Sequence, residues 1–231
     1  RAIGPIDGAC APLSDGPVHP DGTRGWFLQE WSQKENRMVR KPYRYVSEDD
    51  RDPLPDEAVA GWFVRRIGEL AAEKDGKPFF MACGFIRPHT PLYAPKRFFD
   101  MFPPETVQLP VIRAGDRDDT FLHGYLPEDS KGPKYFRLLK ESYPTLEEGL
   151  KKYLQAYLAC VAFVDEQVGR VVDAVDRSPF KDNTVVVRAS DHGYNHGQKD
   201  FLFKNSLWEE SVRIPLIVRA PGVARAAGEC G

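Results

Sequence analysis

Cysteine is scarce in this chain, with four among 231 residues, at positions 10, 83, 160 and 230. No two are spaced as Cys-x-x-Cys, so the sequence encodes neither a zinc ribbon nor a dithiol redox motif. Isolated cysteines behave as small buried hydrophobes, which is the expectation for Cys83 and Cys160. Long apolar runs are lacking too. No window approaches the roughly 20 consecutive apolar residues that cross a bilayer, so no membrane span is expected. Neither sign of charge is in large excess, because 32 Lys and Arg face 34 Asp and Glu for a formal net charge of −2. Without a basic patch, nucleic acid is not an expected partner. Internal repeats and low-complexity tracts are absent as well.

What is present supports a substantial core. The chain is 42% hydrophobic and 29% charged, the balance of a globular domain. Its 20 prolines and 19 glycines concentrate at 4–22, 42–55 and 103–133, which read as turn-rich stretches. Residues 1–53 read as a loop-rich segment whose aromatics Trp26, Phe27, Trp31, Tyr43 and Tyr45 either cover a cleft or anchor loops to a core. Residues 54–231 read as the regular part. Asp56–Glu73 is an amphipathic helix with Val59, Trp62, Phe63, Ile67 and Leu70 on one stripe. Lys96–Phe102 is a short helix stopped by Pro103-Pro104. The longest helix runs over 146–177, with Leu150, Tyr153, Leu154, Tyr157, Val161, Val164, Val168, Val171 and Val175 in a three-four rhythm. Asp165, Glu166, Arg170 and Asp173 fall largely opposite, as a solvated face. Residues 79–85, 185–189 and 214–218 read as short buried strands, and helix followed by strand points to a layered α/β sheet.

Two stretches carry chemistry. The run Val185-Val186-Val187-Arg188-Ala189 ends in Ser190-Asp191-His192-Gly193. In a parallel α/β sheet, ligands bind outside the carboxyl ends of the strands. A carboxylate and an imidazole there can both ligate a divalent metal, and the glycine admits a sharp turn. A bland alternative is an Asp that merely caps a following helix. Further on, Phe203-Lys204 adds a lysine after an aromatic. The second stretch is Arg87-Pro88-His89-Thr90-Pro91, where two prolines bracket His89 in a stiff turn, well placed to donate to an anion. Here the bland alternative is a loop histidine packed on Tyr93 or Phe98.

Together these segments resemble the sulfatase family of the alkaline-phosphatase superfamily, and iduronate-2-sulfatase-like members in particular. The resemblance rests on Lys77-Pro78-Phe79-Phe80, Arg87-Pro88-His89-Thr90-Pro91, residues 157–175, Ser190-Asp191-His192-Gly193, and Lys204 through Pro215-Leu216-Ile217. It covers roughly residues 54–222, with 111–133 poorly matched. It implies an α/β fold, a three-layer α/β/α sandwich of alkaline-phosphatase type in partial form, with 1–53 and 54–231 as its loop-rich and central portions. It further implies hydrolysis of sulfate esters, small-molecule or glycan, with Asp191 and His192 as ligands of a divalent metal, calcium or alternatively magnesium. His89 and Lys204 fall on the family's sulfate contacts. The compartments the family implies are periplasmic, secreted or lysosomal.

Two departures shape the expectation. The family makes a formylglycine nucleophile from Cys-x-Pro-Ser-Arg, whereas Cys10-Ala11-Pro12-Leu13-Ser14 lacks the serine and arginine in place. Cys10 is therefore read as a coincidence, and Asp49-Asp50 follows no apolar strand that would make it the family's aspartate pair. The turn after Gly193 continues Tyr194-Asn195-His196-Gly197, which leaves His196 without an assigned role. The chain is expected to be an internal part of a larger enzyme, inactive by itself, with the nucleophile upstream. Two other readings stay open: a phosphodiesterase or phosphonate monoester hydrolase of the same superfamily, and an inactive domain that binds an anion or glycan.

Overall fold

The computed structural model describes residues 10–16, 25–73, 76–125, 127 and 129–223. Cys230 lies outside them. The chain divides into two compact units, one built from Arg1–Glu57, Phe85–Pro110 and Arg137–Asp165, the other from Ala58–Gly84, Val111–Phe136 and Glu166–Gly231.

In the first unit, strand β1 (Ala11–Pro12) pairs in parallel with β4 (Tyr93–Ala94), Ala11 opposite Tyr93. The segment read as loop-rich contains a hairpin, β2 (Phe27–Ser32) against β3 (Arg37–Pro42), turned at Asn36 with φ 49°. Asn tolerates this left-handed backbone because its short side chain bonds locally. Two of the scattered aromatics do anchor the unit. Trp26 is buried, donates from Nε1 to the Leu13 carbonyl at 3.0 Å, and stacks 4.5 Å from Tyr93. Tyr43 is equally buried and donates to the Asp52 carbonyl at 2.5 Å.

Helix α1 (Pro55–Glu73) begins as its sequence demands, with Pro55 at the first position and Asp56 and Glu57 facing the positive end of the dipole. Glu57 accepts the Leu54 N–H at 2.7 Å and a bidentate pair of bonds from Arg51, both at 2.7 Å. Its buried stripe is Ala60, Phe63 and Ile67, while Trp62, expected on it, is 47% exposed. One helical step is about 100°, so Trp62 sits a full step away from Phe63 and faces outward. Helix α2 (Lys96–Asp100) is slightly shorter than expected, and α3 (Lys131–Ser142) was not anticipated. The long helix α4 (Leu146–Asp176) falls where the periodicity places it. Phe163 on α4 meets Phe98 edge-on at 5.6 Å. Gln167, polar yet buried on α4, accepts from Arg170 Nη1 at 2.6 Å.

The second unit packs Phe63, Ile67 and Val175 with Phe79, Met81, Cys83, Val171 and Phe180. Its strands are β5 (Val186–Ala189) antiparallel to β8 (Leu216–Arg219), and β6 (Asn195–His196) antiparallel to β7 (Leu202–Phe203). Short helix α5 (Glu209–Val212) precedes β8. Two expectations are corrected here. Residues 79–85 form no strand: the burial alternates along them and Phe80 is 93% exposed, but no ladder partner exists among the described residues. Likewise β5 is not a buried parallel strand. It has one neighbour among the described residues, antiparallel, and Val187 is 61% exposed. Apolar β-branched residues set the extended backbone, but burial depends on what covers each face.

Gly132, near the start of α3, tests the packing. A Cβ there would lie 2.1–2.4 Å from the Phe201 ring. Helix propensity favours alanine over glycine by about 1 kcal/mol, whereas overpacking a rigid ring costs about 1–3 kcal/mol. Gly132→Ala is therefore expected to destabilise the chain, read as a lower urea midpoint at unchanged slope.

Candidate functional site

Asp191 and His192 follow directly on β5, at the turn where the backbone of residues 190–193 folds against α5. Ser190 Oγ donates to the His192 carbonyl at 2.9 Å, closing a local turn. The Gly193 N–H donates to the Ser211 carbonyl at 2.8 Å. A Cβ at Gly193 would meet the carbonyl oxygens of Glu210 at 2.2 Å and Arg213 at 2.6 Å. Glycine is thus required for close backbone approach rather than for a left-handed φ, since Gly193 is not among the positive-φ residues.

His192 Nδ1 lies 2.8 Å from the Gly193 carbonyl, and in the neutral tautomer that donates to this carbonyl Nε2 presents its lone pair. Nε2 stands 3.3 Å from Asp191 Oδ2, with the Asp191 carboxylate 83% exposed. Two donors sharing one cation at about 2.3–2.6 Å, at a right angle, stand roughly 3.3–3.7 Å apart. The pair thus fits one edge of a divalent-cation site, and a backbone carbonyl fixing the ring through its other nitrogen is the usual support for a ligating histidine. Two donors are fewer than the 6–8 oxygens calcium takes. Among the described residues no group of three or more His, Cys, Asp and Glu side chains is placed to hold a metal.

Lys204, directly after β7, is half-buried. The backbone leading to it is unusual. Lys199, Asp200 and Phe203 all have positive φ, at 56°, 51° and 72°. Lys199 also ion-pairs with Asp116 at 3.0 Å, which ties the poorly matched 111–133 stretch to this segment.

His89 lies in the first unit, on an exposed turn. Its Nδ1 is 2.6 Å from the Thr90 carbonyl, so this ring too turns Nε2 away from the backbone. It is not packed as the bland reading supposed: it is Arg87 that lies over the Tyr93 ring, at 4.1 Å. Two residues that sequence reasoning passed over build this turn. Buried Asp56 accepts the N–H groups of Ile86 at 2.7 Å and Arg87 at 3.0 Å. Buried Arg87 donates to the carbonyls of Tyr93 at 3.2 Å and His89 at 3.1 Å. The available signal was an acid in the first helical turn, which reads equally well as a dipole partner.

Cys10 is buried beside Leu92. Burial pushes its thiol up to about 12, despite an opposing backbone hydrogen bond from Leu92, so no thiolate forms near neutral pH. Burial raises Cys160 to about 12 in the same way. Cys10, Cys83 and Cys160 are all free. Among the described residues no helix is long and apolar enough to cross a membrane.

Burial also pushes His196 down from 6.5 to about 4, so it is neutral at pH 7. The unfolded chain takes up a proton between those values that the folded chain does not. Stability is therefore complete above pH 6.5 and falls as pH drops toward 4, by at most about 1.4 kcal/mol per unit. Denaturant midpoints from pH 7 to 4.5 are expected to lose this slope in His196→Phe, which keeps a ring 5.2 Å from Tyr194. Gly193→Ala is expected to lower stability by about 2–3 kcal/mol, measured by urea unfolding at pH 7.

With this geometry in hand, relatives become informative. A family model described as Sulfatase matches residues 28–229. A Sulfatase of Formosa agariphila is 37% identical over 173 residues, covering 74% of this chain and 32% of its own length. The iduronate 2-sulfatase of Mus musculus is 28% identical over 187 residues, covering 77% of this chain and 32% of its own. Among solved structures, the phosphonate monoester hydrolase of Agrobacterium radiobacter superposes with a TM-score of 0.55 at 27% identity, over 77% of this chain and 34% of that one. The chain spans about a third of the length of these relatives. The expected α/β, alkaline-phosphatase-like fold class is borne out by such neighbours. A family model that matches most of the chain, around a turn built as described, makes this chain a member of the sulfatase family.

Proposed function

We propose that the full-length enzyme hydrolyses sulfate esters, with a sulfated carbohydrate as substrate. The observation that carries this reading is the Asp191–His192 pair, with the imidazole proton held by the Gly193 carbonyl and Nε2 set 3.3 Å from the carboxylate. Support for the carbohydrate comes from relatives: a Formosa agariphila protein is named an ulvan-active sulfatase, and iduronate 2-sulfatases match over 77% of the chain.

In this reading Asp191 and His192 hold part of a calcium site, with magnesium as the alternative occupant. The ion, when bound, neutralises the non-bridging sulfate oxygens and aligns the ester with its attacker. Formylglycine is the nucleophile, supplied by sequence outside this chain. What the chain's own residues do is electrostatic. Lys204 brings an ammonium to one sulfate oxygen. His89, whose Nδ1 lies 2.6 Å from the Thr90 carbonyl, is the other sulfate contact that the resemblance implies, through its Nε2 side. Charges held in place beforehand stabilise the transition state without reorganisation, which is why such donors matter more than their ground-state bonds indicate. A second reading, phosphonate monoester hydrolysis, is favoured by the superposition on the Agrobacterium radiobacter enzyme.

Kinetics of the full-length protein on a sugar sulfate and on a phosphonate monoester test both. Lys204→Ala and His89→Ala are each expected to lower kcat/KM for the sulfate about 10²–10³-fold. Chelation should abolish turnover and added calcium restore it. Unchanged turnover in both variants, or indifference to chelator, overturns the proposal. Faster cleavage of the phosphonate selects the second reading.

A further inference from the structure

Asn195 is the most completely buried polar residue of the second unit, with none of its surface exposed, yet it belongs to no motif. Its Nδ2 donates to the Phe203 carbonyl at 2.9 Å and to Ser211 Oγ at 2.5 Å, with Ser206 Oγ at 3.3 Å. The Ser206 and Ser211 hydroxyls are themselves 2.6 Å apart. Ser211 is also the residue whose carbonyl accepts the Gly193 N–H at 2.8 Å. One buried amide thus bonds to the residue before Lys204 and to the residue that anchors the Asp191-His192-Gly193 turn.

Phe203 makes this link consequential. A non-glycine residue at φ 72° is strained and persists only where its surroundings dictate it. The Phe203 ring is held edge-on by Tyr135 at 5.2 Å and by Tyr194 at 5.9 Å, and its carbonyl is held by Asn195. The left-handed backbone at Phe203 sets the direction in which the chain leaves toward Lys204. Asn195 Oδ1, meanwhile, is buried with no hydrogen-bond donor among the described residues. An orphaned acceptor destabilises. An apolar residue of similar volume would avoid that penalty, so the amide at this position is explained by what its donor side holds in place.

We infer that Asn195, through Phe203 and Ser211, is a positioning residue that couples the Asp191-His192-Gly193 turn to Lys204, so that metal ligands and sulfate contact keep a common register. The inference rests on the sulfate-contact reading of Lys204, but the coupling itself has a separate readout.

The test uses Asn195→Ala and Asn195→Leu in the full-length protein, with Ile67→Val as a destabilising control in the helical cluster of the same unit. Amide exchange at Gly193 and calorimetric affinity for inorganic sulfate with calcium present are measured in each. Both Asn195 variants are expected to speed Gly193 exchange and weaken sulfate binding about tenfold, since small displacements at a site are costly. Ile67→Val should change neither. In a Lys204→Ala background, Asn195→Ala should weaken sulfate by less than about twofold, the non-additivity of residues acting through one another. The inference is overturned if Gly193 exchange and sulfate affinity both stay near parental values in the Asn195 variants, or if Ile67→Val reproduces their effects. If the full-length parent protein binds no sulfate, the Lys204 reading fails instead, and Gly193 exchange alone decides the coupling.

Discussion

The hydrogen bond from the Gly193 N–H to the Ser211 carbonyl is the constraint on which the site depends. It exists because the two backbones approach closer than any Cβ permits, with the Glu210 and Arg213 carbonyls where a side chain would sit. Once that approach is made, the turn before it has little freedom. Ser190 closes it, the Gly193 carbonyl accepts a hydrogen bond from His192 Nδ1, and Nε2 is left facing the Asp191 carboxylate. The Asp191–His192 pair on this turn is thereby oriented largely by backbone groups, with the Ser190 hydroxyl as the one side-chain contact.

A similar logic builds the turn carrying His89 in the other unit. Buried charge there is spent on backbone groups rather than on other charges. Asp56 receives two N–H groups and Arg87 donates to two carbonyls while lying on Tyr93. An unpaired buried ion is expensive, and charge-assisted bonds to the main chain meet that penalty while fixing the path of the turn. The His89 backbone joins this framework through its carbonyl, which accepts from Arg87, while its side chain stays exposed.

The helices were largely legible. The apolar rhythm of α4 and the Pro-Asp-Glu start of α1 are local signals, and both helices fall within a residue or so of expectation. Strands were less so. Residues 79–85 and 185–189 have equally apolar sequences, yet only the second finds a ladder partner among the described residues, and that one is antiparallel. The hairpin at residues 27–42 escaped notice because its strands mix charged and aromatic residues without a sharp alternation. Among the candidate residues, Asp191, His192, His89 and Lys204 stood out by residue type, whereas Asn195, Ser211, Asp56 and Arg87 did not. Their roles come from partners 8 to 31 positions away, and no short window contains such pairs.

Sequence by itself determined the family and the placement of the α1 and α4 helices, and it singled out the residues proposed to bind a cation or an anion. These follow from side-chain chemistry and from spacing within one element. Tertiary structure alone decided which nitrogen of His192 is open, why position 193 must be glycine, and that a buried asparagine joins the turn to the lysine. Those depend on distances between segments distant along the chain, and packing fixes such distances in three dimensions without leaving a periodic trace in the sequence.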